Sequence, residues 1–175
     1  PWITWGPEES KDVIAAVDFI SDHPDYKDSR IGLLSICMGQ SASTLAYGAQ
    51  NGLKNYKNIK AKVSVQPLTY AKLARARGIG NFLVNRANKP IQERTGIDFR
   101  ENTFMPNVRD IAVPTLVIQN ENDPWTDKEL VEQYYNDLRV EKEMIWLQLE
   151  KQRAAAYDWI GHNSKEILGW FGKYV

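Results

Sequence analysis

Apolar positions along this chain follow two rhythms, and the changes between them mark where elements begin and end. Over residues 8–23, Val13, Ile14, Val17, Phe19 and Ile20 form an apolar stripe among acidic residues and alanines. That predicts an amphipathic helix. Pro7 precedes it, Glu8, Glu9 and Ser10 make an acidic first turn, and His23-Pro24-Asp25 ends it. Four short stretches behave differently: 30–36 and 113–119 are apolar runs, while 60–66 and 143–149 alternate or are mixed. Each has the length of a strand. Helices are predicted between and after them, over 40–49 (closed near Asn51-Gly52), 127–138 and 164–174. Asp127 and Ser164 stand as the N-caps of the last two.

The stretch 69–112 breaks both rhythms. It is rich in Arg, Asn and Gly, its apolar residues are irregularly placed, and it reads as an insert carrying two short helices. The whole order is helix, strand, helix, strand, insert, strand, helix, strand, helix. Strands alternating with helices predict an α/β fold, with a mostly parallel sheet covered by helices on both faces. A chain of 175 residues is long enough for one domain and short for two, so 1–175 is read as one.

Composition narrows the function classes. Hydrophobic residues make up 43% and charged residues 25%, as in a globular protein with a substantial core. Lys plus Arg and Asp plus Glu number 22 each, so no net field draws the chain to a polyanion or an acidic membrane. The best basic cluster is Lys72, Arg75, Arg77, Arg86 and Lys89. With little aromatic interleaving it reads as a solvated face, and no nucleic-acid partner is expected. No apolar stretch approaches the ~20 residues of a membrane span. No signal-peptide pattern opens the chain, and the lone Cys37 forms no internal disulfide. The expectation is a cytoplasmic protein without a membrane partner. Its first residues, Pro1-Trp2-Ile3-Thr4-Trp5, read as the interior of a longer sequence.

No metal or cofactor is expected. Two separated histidines and one cysteine give no metal-ligand spacing. Gly78-Ile79-Gly80 lies in the insert rather than between a strand and a helix, where a phosphate loop would stand.

The chemistry concentrates at Ser35-Ile36-Cys37-Met38-Gly39, directly after the first predicted strand. This is the small-x-nucleophile-x-Gly form of a strand–turn–helix elbow, in which the nucleophile takes a strained backbone and its neighbours two before and two after must be small. Two more candidates fall at the carboxyl ends of later strands, the edge where open α/β sheets place their sites. Asp123 follows the third strand, in Asn122-Asp123-Pro124, and His162 is the one histidine after the fourth. A free thiol titrates near ~8.5, so a base beside Cys37 would matter. His162 could take that proton, Asp123 could hold the imidazole, and the Met38 N–H could bind an oxyanion.

The elbow, the insert, Val113-Pro114-Thr115-Leu116-Val117-Ile118, the Asn-Asp-Pro loop and Ile167-Leu168-Gly169-Trp170-Phe171 occur in an order that resembles the α/β-hydrolase superfamily. The chain looks most like the dienelactone-hydrolase-like branch, in which Gly-x-Cys-x-Gly elbows occur. The resemblance covers nearly the whole chain. It implies a hydrolase acting on a small-molecule carboxylic ester, lactone or thioester through Cys37, His162 and Asp123 and an acyl-enzyme. It also implies that 69–112 is the lid, and that these four strands are the last of about eight. The second oxyanion donor would then lie on an earlier loop.

Several readings stay open. Arg153, in Lys151-Gln152-Arg153-Ala154-Ala155-Ala156-Tyr157-Asp158, stands near where relatives place the histidine. That favours a non-catalytic binding or assembly module on the same fold. Acyl transfer would use the same residues as hydrolysis. Cys37 could be a small buried residue, Asp123 a turn former and His162 a surface residue. Trp2, Trp5, Trp125 and Trp159 could line an acyl pocket or simply pack. An oligomer is possible.

Overall fold

The computed structural model describes residues 3–175, so Trp2 lies outside the described residues. Four strands, β1 (Ile31–Ile36), β2 (Ile59–Val65), β3 (Thr115–Asn120) and β4 (Lys142–Leu147), form one sheet in the order β1-β2-β3-β4, parallel throughout. Seven helices surround it: α1 (Glu9–Asp22), α2 (Met38–Gly48), α3 (Tyr70–Ala76), α4 (Asn81–Thr95), α5 (Lys128–Asp137), α6 (Ala154–His162) and α7 (Ser164–Tyr174). The expected α/β architecture is observed. Among the described residues no helix is long and apolar enough to cross a membrane.

Alternation along the strands builds two cores. Val117 of β3 joins Val17 of α1, Tyr47 of α2 and Val131 and Tyr134 of α5 on one face. Its neighbours Leu116 and Ile118 join Val63, Ala156 and Ile160 of α6, and Ile167 and Trp170 of α7 on the other. Successive residues of a strand point to opposite faces, which is why adjacent β3 residues feed different cores.

Local chemistry places the ends of the elements. The Asp127 side chain accepts from Leu130 N–H at 3.0 Å and caps α5, as expected. The start of α7 is a correction. Asn163 rather than Ser164 is its N-cap residue, and no side chain caps it, because α6 runs directly into α7. The helix α6 is itself an addition to the sequence reading. Its Ala154-Ala155-Ala156 opening is strongly helix-favouring and lacks the long apolar stripe that marks the other helices. The insert holds two helices as expected, although α4 runs for 15 residues. A 3-10 turn over Met105–Asp110 then leads back to the sheet.

One buried residue is unusual. Lys62 of β2 is fully enclosed, and its Nζ donates to Ser35 Oγ of β1 at 3.2 Å and to Ser43 Oγ of α2. Among the described residues no carboxylate pairs with it. Burial pulls its ammonium down to about 7.

Candidate active site

The turn between β1 and α2 bends the chain sharply at Cys37, which has φ 54 and ψ −118. A side-chain-bearing residue rarely holds such a backbone, because its Cβ crowds the adjoining peptide groups. The surroundings enforce it. Cys37 N–H bonds the Val65 carbonyl of β2 at 3.0 Å, while Gln40 and Ser41 N–H bond the Cys37 carbonyl at 3.0 and 3.4 Å. Gly39, two residues on, leaves open space around its Cα. Cys37 is half-buried, and Met38 opens α2, where first-turn N–H groups have no partner within the helix.

Asp123 lies past β3 with its side chain wholly enclosed. Its Oδ1 accepts from Trp125 N–H at 2.9 Å, and its Oδ2 accepts from Gln119 Nε2 at 3.3 Å and from Arg153 Nη1. The ion pair with Arg153 is buried on both sides. Arg153 spends its other donors nearby, with Nη2 on the Gln66 carbonyl at 2.7 Å and Nε on the Tyr157 hydroxyl at 2.8 Å. The Tyr157 hydroxyl neighbours the Cys37 side chain. Burial, followed by that contact with Cys37, pushes the Tyr157 phenol above its ordinary value despite the opposing charge of Arg153.

Hydrogen bonds therefore run from Asp123 through Arg153 to Tyr157, which neighbours Cys37. Two asparagines lock the segment carrying Arg153 against the Asp123 loop. Asn120 Nδ2 donates to the Glu150 carbonyl at 2.9 Å and its Oδ1 accepts from Leu149 N–H at 3.2 Å, while Asn122 Nδ2 donates to the Leu149 carbonyl at 2.8 Å. Arg153 also lies 5.4 Å from the Trp125 ring, whose other contact is Arg77 of the insert at 4.4 Å.

His162 does not join this arrangement. Arg153, not His162, is bonded to Asp123, and His162 is exposed with its Nδ1 on the Asp158 carbonyl at 2.8 Å. The reason is helical. Because 154–162 coils rather than looping back, His162 ends up about 13 Å along the axis from Arg153. Asp123 and Arg153 thus share one buried hydrogen-bond network that His162 does not join.

Sequence reasoning did not reach Tyr157 or Gln66. Tyr157 sits at i+4 from Arg153, a spacing that puts both on one helix face. Gln66, just past β2, is fully buried with φ 50, an unusual backbone at the strand's carboxyl end beside the elbow. Among the described residues no group of three or more His, Cys, Asp or Glu could hold a metal ion. Trp5 packs on Tyr70 of the insert with ring centroids 5.7 Å apart.

No protein-family model and no curated protein matches the chain. Solved structures do. A Pyrococcus furiosus esterase superposes with a TM-score of 0.63 at 21% identity over 98% of this chain and 65% of its own. The esterase domain of a Rhodothermus marinus protein gives 0.64 at 17% identity, over 94% of this chain and 68% of its own. A dienelactone hydrolase from Anabaena variabilis gives 0.53 at 15% identity, over 95% and 59%. The chain has the α/β-hydrolase fold. It spans about 65% of the length of the Pyrococcus furiosus structures it matches.

Proposed function

We propose that this chain is the elbow-bearing part of a hydrolase acting on carboxylic esters, lactones or thioesters, with Cys37 as nucleophile. One observation carries the reading. Cys37 is held at φ 54 and ψ −118 between a strand and a helix, a backbone that costs on the order of 1–3 kcal/mol and presents the side chain at the sheet's carboxyl edge. Ordinary burial of a small residue calls for no such strain.

In the reaction, the Cys37 sulfur attacks the acyl carbon and the carbonyl π pair moves to oxygen, facing the Met38 N–H. Collapse expels the leaving group, the proton lost by the thiol passes through solvent to it, and a thioester remains on Cys37. Water then attacks this thioester, releasing a carboxylic acid and restoring the sulfur. The esterases and the dienelactone hydrolase that share the fold support this substrate range.

A second reading, a binding or assembly module, is favoured by one feature: the partner of Asp123 is an arginine, which cannot act as a base. Intact-mass analysis separates the two. The full chain treated with p-nitrophenyl acetate should gain one acetyl group on Cys37, and Cys37→Ala should gain none. Absence of the adduct, or ester turnover that survives Cys37→Ala, rejects the hydrolase.

A further inference from the structure

Charge is unevenly spread along this neutral chain. Between residues 69 and 92 stand Lys72, Arg75, Arg77, Arg86 and Lys89, and no Asp or Glu. Aromatic residues are sparse among them, and folding supplies one from elsewhere. The loop after β3 brings Trp125 against this run, with the Arg77 guanidinium 4.4 Å from the indole centroid. Between α3 and residues 124–127 lies a crevice of about 340 Å³, lined by Lys72, Arg75, Trp125, Thr126 and Asp127. That volume falls within the ~300–1,000 Å³ of small-molecule sites.

The charges at this crevice do not cancel. Asp127 is the one carboxylate that lines it, and Lys72 already pairs with that group. Arg75 is exposed and makes no hydrogen bond or ion pair among the described residues, with Asp127 acting on it only through space. Arg77 is exposed too and meets the Trp125 ring rather than an acid. Two guanidiniums therefore stand beside an aromatic wall with no counter-charge in contact. The planar fork of a guanidinium matches phosphate oxygens in pairs. Two forks, in a run without acids, complement a multiply charged group better than a single carboxylate. Arg75 also lines an apolar cavity of about 210 Å³ formed by Tyr70, Ala74, Ile79, Val84 and Phe99, so there is room for an apolar body next to the charge.

The crevice abuts the candidate active site, and Trp125 is the wall between them. The Trp125 N–H donates to Asp123 Oδ1 at 2.9 Å, and Arg153 lies 5.4 Å from the same ring. Thr126 Oγ1 donates to the Pro67 carbonyl at 3.0 Å, one residue past Gln66. We propose, resting on the hydrolase reading, that the crevice between α3 and Trp125 binds a phosphate-bearing part of the substrate through Arg75 and Arg77, and that the chain acts on acyl esters or thioesters that carry a phosphate or pyrophosphate group.

The test uses the full chain and reads binding apart from turnover. Inorganic pyrophosphate should bind the wild type by calorimetry, and more weakly as salt rises past ~0.15 M, where charges are screened within about 8 Å. Arg75→Ala and Arg77→Ala should each weaken this binding about tenfold, the loss of one charge-assisted contact. Lys165→Ala, which removes a like charge from α7, should leave it unchanged. Both arginines are exposed, so neither change threatens folding. Acetyl-coenzyme A, a thioester bearing phosphates, should be hydrolysed with a kcat/KM about tenfold or more above that of S-ethyl thioacetate, and the double variant Arg75→Ala/Arg77→Ala should erase the preference. Pyrophosphate should compete with acetyl-coenzyme A.

Absence of pyrophosphate binding, binding that both arginine variants retain at wild-type strength, or equal turnover of acetyl-coenzyme A and S-ethyl thioacetate would each overturn the proposal. Pyrophosphate that binds without competing with acetyl-coenzyme A would make the crevice a site for free phosphate, and overturns it as well. In every one of those cases a surviving acetyl adduct on Cys37 leaves the broader hydrolase reading standing. Loss of the adduct from the wild type ends both, whatever the crevice binds.

Discussion

Among the described residues two basic side chains, Arg153 and Lys62, are buried, and the molecule treats them in opposite ways. At the carboxyl edge of the sheet, Arg153 is enclosed with Asp123 as a full counter-charge, a backbone carbonyl and a phenol. In the core between β1, β2 and α2, Lys62 is equally enclosed but meets only the hydroxyls of Ser35 and Ser43. The difference follows from the two headgroups. A guanidinium stays charged in any protein environment, so burying it requires an anion. An ammonium can shed its proton, and Lys62 meets the cost of burial that way, with its value drawn down to about 7. The paired cation keeps its charge beside the candidate nucleophile; the unpaired one can become neutral inside the core.

The sharpest way to break this contrast is to remove the arginine. Arg153→Ala leaves Asp123 enclosed and unpaired, and urea denaturation should show a loss of about 3–5 kcal/mol. The double variant Arg153→Met/Asp123→Asn should lose much less than the sum of its single changes, since the two residues share one interaction. If the single variant costs under about 1 kcal/mol, Asp123 is not the buried anion described here.

Lys62 gives the next largest effect, and it depends on pH. Its folded value of about 7 lies below the ordinary 10.5. Between these limits the unfolded chain carries a proton that the native chain lacks. Stability should therefore rise with pH across that window, by at most about 1.4 kcal/mol per pH unit, and lose this slope below about 7. Lys62→Met should abolish that rise. A wild-type stability that falls between pH 7 and pH 9 would show that Lys62 is not the controlling group.

A third cation calibrates the other two. Lys72 of α3 pairs with Asp127, the lysine half-buried and the aspartate exposed. Such a pair is worth about 0–1 kcal/mol, so Lys72→Ala should barely move the thermal midpoint. Asp127→Ala should cost more, about 1 kcal/mol, because it also removes the cap on Leu130 N–H. Equal effects would mean that the ion pair rather than the cap carries Asp127.

Parts of the site were legible before any coordinates. Small residues around Cys37 announce the turn by their pattern alone, Ser35 before it and Gly39 after it, although the space beside Gly39 would admit a Cβ. Asp123 could be placed at the carboxyl edge because a strand of apolar residues ends just before it. The arginine's role could not be read this way. Arg153 was visible at an unexpected position, but its partners lie 30 and 87 residues away on other strands' loops. The asparagine clasp that brings those loops together is equally non-local. The helix that carries His162 was missed for a smaller reason: an alanine-opened helix has high propensity but little periodic signal.

What the sequence alone determined, then, was the succession of strands and helices and the elbow itself. Those depend on the spacing of side chains along one segment and on sterics between neighbours. Tertiary structure decided what Cys37 faces. Strand order set Gln66 and the Asp123 loop beside the start of α6, and the coiling of α6 put Tyr157 on Arg153 while carrying His162 to the surface. Burial then decided that one cation must be paired and that the other can be neutral, because desolvation belongs to a position in space rather than to a position in the chain.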